Sequence, residues 1–389
     1  MNEKKIEMRL VVPVLLSFFV MSFVDLVGIG KDRVAGDFPG VSDFILGLIP
    51  FAAFIWFFIL SVPVGILQDR VGKKTMLNIG MGVTGVGLLI PFFFYNFATV
   101  IAGFALLGIG NTIVQVSANP LLVDVVPGRR ASSFLSFSQF VKAIGSMIAA
   151  PLAALLFSRF GDWKLLFLVY GIISFLSVLW LGSVKIEETA STGEKASMAS
   201  AFKLLGNSYI LMMVLSIFLV VGIDVGFNYF SGKYLTTRFG IEEVTAQSGR
   251  SIYFLGRMLG TFAGALILTK LKGTRGLLYS SVLSIVSIFL ILVIPSKVAA
   301  WALVFIIGLG VANIFPLVFS LTVQKYPERS NEISGLMMMA ISGGALIPPV
   351  MGLVSDLLGV VPGMGVLLLC AAYLLAVSWI IIRKKLVNI

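Results

Sequence analysis

The chain has 389 residues, is 58% hydrophobic and 12% charged, carries a formal net charge of +11, and contains no histidine. Soluble globular chains run about 45–50% apolar and about 25% charged, so the composition points to lipid as the solvent. With no histidine and a single cysteine, Cys370, the chain has no material for His-based triads, zincin motifs, cysteine metal clusters or an internal disulfide framework. No metal and no cofactor is expected. The basic residues are scattered between apolar runs and form no stripe, which argues against a nucleic-acid partner.

A membrane-spanning helix takes about 20 apolar residues. The N-terminal stretch "MNEKKIEMRL" is charged and leads into an apolar run too long for a signal-peptide core, so it reads as a retained first span. In chain order, spans are predicted at 9–30, 42–67, 76–95, 98–125, 131–157 and 163–184, then at 208–230, 246–270, 275–295, 298–322, 333–355 and 360–382. The expected fold is an all-α membrane protein with twelve transmembrane helices in two pseudo-symmetric six-helix bundles, residues 1–184 and 208–389. Between them, "KIEETASTGEKASMASAFKLLGN" (185–207) has the composition of a flexible cytoplasmic linker with one surface helix. If the N-terminus is cytoplasmic, Lys and Arg on the inner segments outnumber those on the outer loops by more than two to one, which puts both termini in the cytoplasm. The halves also read as copies. Gly108 and Gly308, Gly110 and Gly310, Pro127 and Pro327, and Asp25 and Asp224 keep a nearly constant offset. Repeated halves with a polar site between them mark alternating-access transporters.

Four charged side chains lie well inside predicted spans: Asp25, Lys142, Asp224 and Arg257. An intramembrane charge is a functional hypothesis with a partner to be named. The pairs expected are Asp25 with Lys142 and Asp224 with Arg257; both are also readable as structural clamps, the latter equally so. Around them lie the amides Gln115, Asn119, Gln139, Asn228 and Asn313. Gln115 and Asn119 share one helix face, as do Gln139 and Lys142. Amides both donate and accept, which suits a polyhydroxylated ligand; the alternative is helix–helix hydrogen bonding. Phe227 and Tyr229 flank Asn228 and offer rings for stacking on a sugar. "GILQDRVGKK" closes the second span: Gly65 permits close helix contact, and Asp69 complements the N-terminus of a neighbouring helix. Arg70, Lys73 and Lys74, with Gly72 between them, are expected to hold the loop at the cytoplasmic surface.

The segment Gly65–Lys74 is similar to the signature loop of the major facilitator superfamily, and the layout extends that likeness over the whole chain. Within the superfamily the chain resembles the fucose-permease branch of proton-coupled sugar transporters, through "QVSANP" (Gln115–Pro120), "SFSQFVKAIG" (Ser136–Gly145) and Asp25. The resemblance implies that Asp25 takes up the coupling proton. It also implies an acid where this chain has Gln115, an asparagine where it has Lys142, and a glutamine where it has Asp224. These departures move the N-terminal cavity towards positive charge and make an acidic sugar, of sialic or uronic acid type, plausible beside a neutral monosaccharide. The expectation is therefore a proton-coupled symporter in the bacterial inner membrane, not an enzyme, working as a monomer with no cofactor besides the proton. Proton-coupled export of drugs or organic ions is the alternative within transport, and a nontransporting sensor or partner-binding protein is the alternative of another class.

Overall fold

The structure, a computed structural model, describes residues 7–40, 48–126, 130–188, 198–384 and 386. Pro127, residues 189–197 of the linker, and some helix side chains, Tyr229 among them, lie outside the described residues.

Wherever the apolar windows fall, the described chain is helical. The first six spans are built from α1 (Met8–Met21) and α2 (Leu26–Asp37), α3 (Leu48–Val71), α4 (Lys73–Phe93), α5 (Phe97–Val125), α6 (Arg130–Phe160) and α7 (Leu165–Ser183). A short helix in the linker, α8 (Met198–Lys203), precedes α9 (Ser208–Phe239), α10 (Glu243–Ile267), α11 (Gly273–Val293), α12 (Lys297–Val311) and α13 (Ile314–Lys325). The chain closes with α14 (Ser330–Met339), α15 (Gly343–Leu358) and α16 (Val360–Arg383). Polar residues at the boundaries act as caps. The Asn96 side chain accepts from the Thr99 amide and forms a capping box with it. Asn207 caps α9 through the Tyr209 and Ile210 amides, and Gly240 ends that helix in the left-handed conformation at φ 59°.

Among the described residues, eleven helical stretches are long and apolar enough to cross a membrane. The remaining expected span, α10, is helical over 25 residues but more polar, because Arg250 and Arg257 both fall in it. It completes the twelve.

Three spans that hydropathy draws as continuous are interrupted. The first breaks at a 3-10 turn, Ser22–Asp25. The tenth breaks at Ala312–Asn313, between α12 and α13. The eleventh breaks at a 3-10 turn, Ala340–Ser342. A side chain reaching into the backbone ladder is a recognised cause of such breaks, and the first of the three shows one: Asn111 Nδ2 donates to the Met21 carbonyl at 2.8 Å. At the tenth the bond runs outward, Asn313 Nδ2 donating to the Gly260 carbonyl of α10 at 2.7 Å.

The chain divides into two compact units. The first holds residues 1–127, 141–202 and 327–339; the second holds 128–140, 203–326 and 340–389. Each unit thus takes in a short segment from the other half of the sequence, and the two exchanged segments occupy corresponding places in the two repeats. In the first unit, Ser334 Oγ of α14 donates to the Val116 carbonyl of α5 at 2.6 Å. In the second, Ser133 Oγ donates to the Ala265 carbonyl, and Ser132 and Ser320 share a hydroxyl hydrogen bond of 2.7 Å. At another place in the first unit, Asp37 Oδ2 accepts from Tyr95 Oη at 2.7 Å and Trp163 Nε1 at 3.0 Å. Trp163 is buried.

Candidate functional site

In the first unit the polar cluster is built around the break in the first span. Ser22, Phe23 and Val24 of the 3-10 turn are buried, whereas Asp25 at its end is exposed. Ser146 Oγ of α6 donates to Asp25 Oδ2 at 2.5 Å. The same hydroxyl lies 3.3 Å from the Lys142 carbonyl, one turn back on its own helix. Asp25 and Lys142 thus sit on the two elements that Ser146 joins. Tyr170 of α7 stacks on Phe23 with ring centroids 4.3 Å apart, and its hydroxyl donates to the Gly145 carbonyl at 2.9 Å.

Behind the turn runs an amide ladder on α5. Asn119 Nδ2 donates to the Gln115 carbonyl, Gln115 Nε2 donates to Asn111 Oδ1, and Asn111 Nδ2 reaches Met21, each at 2.8 Å. Asn111 is fully buried. So Gln115, expected to face a ligand, spends its amide nitrogen on fixing the helix that positions the Asp25 turn. Asn111 was absent from the candidate residues, although it stands four before Gln115 on the same face. Ser146 was missed too, since a serine four after Lys142 carries no signal of its own in so serine-rich a chain.

In the second unit Asp224 of α9 is engaged at both oxygens. Arg257 Nη1 of α10 pairs with Oδ2, and Tyr253 Oη donates to Oδ1 at 2.7 Å. The expected Asp224–Arg257 partnership is present, with Tyr253 as a third member. Phe227 does not offer an open ring: it is fully buried and packs on Tyr253 with centroids 4.9 Å apart. The Tyr229 side chain is outside the described residues. Asn313 is likewise buried, with its Nδ2 committed to Gly260. Gln139 is buried on α6, and Asn228 is half-buried on α9. Of the candidate amides, Asn119, Asn228 and Asn313 have side-chain oxygens buried without a hydrogen-bond partner among the described residues, as do Gln68, Asn78 and Asn331 elsewhere, where nearly every such atom in a folded protein has a partner.

The loop segment after α3 also resolves into named contacts. A β-carbon at Gly65 would stand 2.6 Å from the Asn331 carbonyl oxygen and 3.0 Å from Gly335 Cα, so α3 and α14 approach backbone to backbone. Asp69 Oδ1 accepts from Asn331 Nδ2 at 2.6 Å, in the first turn of α14. Gly72 sits at φ 88°, a conformation that favours glycine. Arg70 is exposed as expected. Lys73 is not: it is buried, and its Nζ pairs with Asp124 Oδ2 at 2.6 Å. Lys74 Nζ reaches the Gly182 and Val184 carbonyls at 3.2 and 2.5 Å, at the C-terminal end of α7, where a cation complements the helix dipole. Glu188 accepts from the Lys73 and Lys74 amides at 2.5 and 3.0 Å, capping α4.

Helical spans throughout, two related halves, broken helices and charges held at mid-span define a multi-pass membrane transporter. The chain belongs to the Major Facilitator Superfamily, whose family profile matches residues 14–349. As a member of that family it is a transporter and not an enzyme. It is 26% identical over 347 residues to a glucose/galactose transporter of Brucella abortus biovar 1 (strain 9-941), covering 84% of this chain and 83% of that one. It is 21% identical over 370 residues to the L-fucose-proton symporter of Escherichia coli (strain K12), covering 83% and 81%. The solved structure of the E. coli fucose:proton symporter FucP superposes with a TM-score of 0.84 at 18% identity, over 94% of this chain and 97% of that chain. The fucose-permease resemblance read from the sequence therefore holds at the level of family and fold.

Proposed function

We propose that this protein is a proton-coupled symporter of a monosaccharide or acidic sugar, working by alternating access in a bacterial inner membrane, with both termini cytoplasmic. The observation that carries the reading is Asp25: an exposed carboxylate at the end of a buried turn in the middle of a span, hydrogen-bonded by Ser146. A carboxylate in such a place is kept for a proton or a cargo. The amide oxygens of Asn119, Asn228 and Asn313, without partners among the described residues, are acceptors suited to hydroxyl groups. The names of the relatives, glucose/galactose transporter and L-fucose-proton symporter, favour a hexose-like cargo, and Lys142 adds a cation suited to a sugar carboxylate. In this reading Asp25 takes a proton, Lys142 and the amides engage the sugar, and loss of the proton resets the empty carrier.

The test is uptake by proteoliposomes under an imposed proton gradient, with glucose, galactose, fucose, glucuronate and N-acetylneuraminate as competitors. Accumulation of one of these, driven by the gradient and lost in Asp25→Asn while sugar exchange persists, is the expected result. Undiminished accumulation by Asp25→Asn would remove the carboxylate from coupling. Inhibition by lipophilic cations and by none of the sugars would move the protein to the drug-export class.

A further inference from the structure

The two hydrogen bonds drawn by Ser146 compete for a single proton. Its Oγ lies 2.5 Å from Asp25 Oδ2 and 3.3 Å from the Lys142 carbonyl, but a serine hydroxyl has one O–H to donate and two lone pairs to accept with. We infer that Ser146 is a positioning residue for Asp25, its hydroxyl partnering the carboxyl group in both charge states by rotating between these two acceptors. With Asp25 ionised, Ser146 donates to Oδ2. When a proton arrives from water on that oxygen, the new O–H donates to Ser146 Oγ, and the serine proton swings to the Lys142 carbonyl. Serine in a helix readily makes that bond to the carbonyl four residues back. No heavy atom has to move, and no bond other than the carboxyl O–H forms or breaks.

The surroundings fit this division of labour. The Met21 carbonyl next to the turn is pinned by Asn111, so the backbone carrying Asp25 is fixed from behind while its side chain faces Ser146. The Tyr170 phenol on α7 lies near the carboxyl and gives its proton to the Gly145 carbonyl, and Lys142 stands one turn before Ser146 on α6. On α5 the packed side chains are the neutral amides Asn111 and Gln115. Among the described hydroxyls beside the turn, Tyr170 is committed to the Gly145 carbonyl and Ser22 to the Phe19 carbonyl, whereas Ser146 has both a carboxylate oxygen and a helix carbonyl within reach.

This inference rests on Asp25 being the group that carries the proton, and one experiment separates the two claims. Infrared difference spectra of the purified full chain, recorded between acid and alkaline pH, show carboxyl C=O bands; the band lost in Asp25→Asn is that of Asp25. If Asp25→Asn removes no band, Asp25 does not titrate and the functional reading itself fails. Given the band, Ser146→Ala is expected to move it to higher wavenumber, as an acid that has lost a hydrogen-bond partner does, while Ser146→Thr leaves it in place. Ser146→Cys, a weaker partner of similar size, is expected to shift it in the same direction by less, and serves if the alanine variant does not fold. An unmoved band in both Ala and Cys variants, with water in the hydroxyl's place, overturns the inference, as does a threonine variant shifted as far as alanine.

Discussion

Asp25 and Asp224 stand at matching places in the two halves but meet different company. Asp25 is exposed and hydrogen-bonded by a hydroxyl; Asp224 is held by a guanidinium and a phenol. A carboxylate in the second arrangement depends on its cation: removing one partner of a fully buried pair costs about 3–5 kcal/mol, and the cost is smaller here because the pair is part-exposed. Arg257→Leu is therefore expected to destabilise the protein in a thermal-denaturation assay, and Asp224→Asn added to it to restore much of the loss. Tyr253→Phe removes one donor to a charged group, worth about 1.5–3 kcal/mol, and should lower the melting temperature less than Arg257→Leu does. The charged members of both clusters were legible in the sequence, because a charge inside an apolar window stands out whatever the fold. Asn111, Ser146 and Tyr253 were not: their roles come from what lies opposite them across a helix contact, which one sequence does not encode locally. The same limit reversed the expected surroundings of Phe227, whose neighbour Tyr253 lies on another helix.

At the scale of elements, the spans were placed well by hydropathy, and the structure adds the caps that end them, Asn96, Asn207 and Gly240. The interruptions inside the first and tenth spans were invisible, since each break coincides with a side-chain bond from or to a different helix. Asn111→Ala would take the donor from the Met21 carbonyl and the acceptor from Gln115, at about 1–3 kcal/mol for a buried group left unsatisfied. It is expected to lower the melting temperature and to reduce gradient-driven accumulation along with it. The contact of α3 with α14 is another element-level device. With a β-carbon at Gly65 set 2.6 Å from a backbone oxygen, Gly65→Ala overpacks a place with no flexible side chain to yield, at about 1–3 kcal/mol. Slower transport by Gly65→Ala at normal expression is expected; unchanged kinetics would show that this approach is not needed in the cycle. Lys73 teaches the opposite lesson about charge runs. Three basic residues in one short loop read as surface, yet one is buried against Asp124, an acid fifty-one positions on.

For the whole molecule, the family and the twelve-span layout were legible because lipid imposes so strict a length and polarity on each crossing. The compact units were not, since their boundaries depend on which helices touch. Residues 327–339 belong to the first unit and 128–140 to the second, so a gene cut within the linker would not separate the molecule at its structural seams. The N-terminal fragment would lack the helix that supplies Asn331 to Asp69 and Ser334 to Val116. The C-terminal fragment would lack the serines that bind Ala265 and Ser320. Produced alone, either fragment should be short-lived and readily proteolysed; produced together from two messages, they should rescue one another, each lending the other its missing piece.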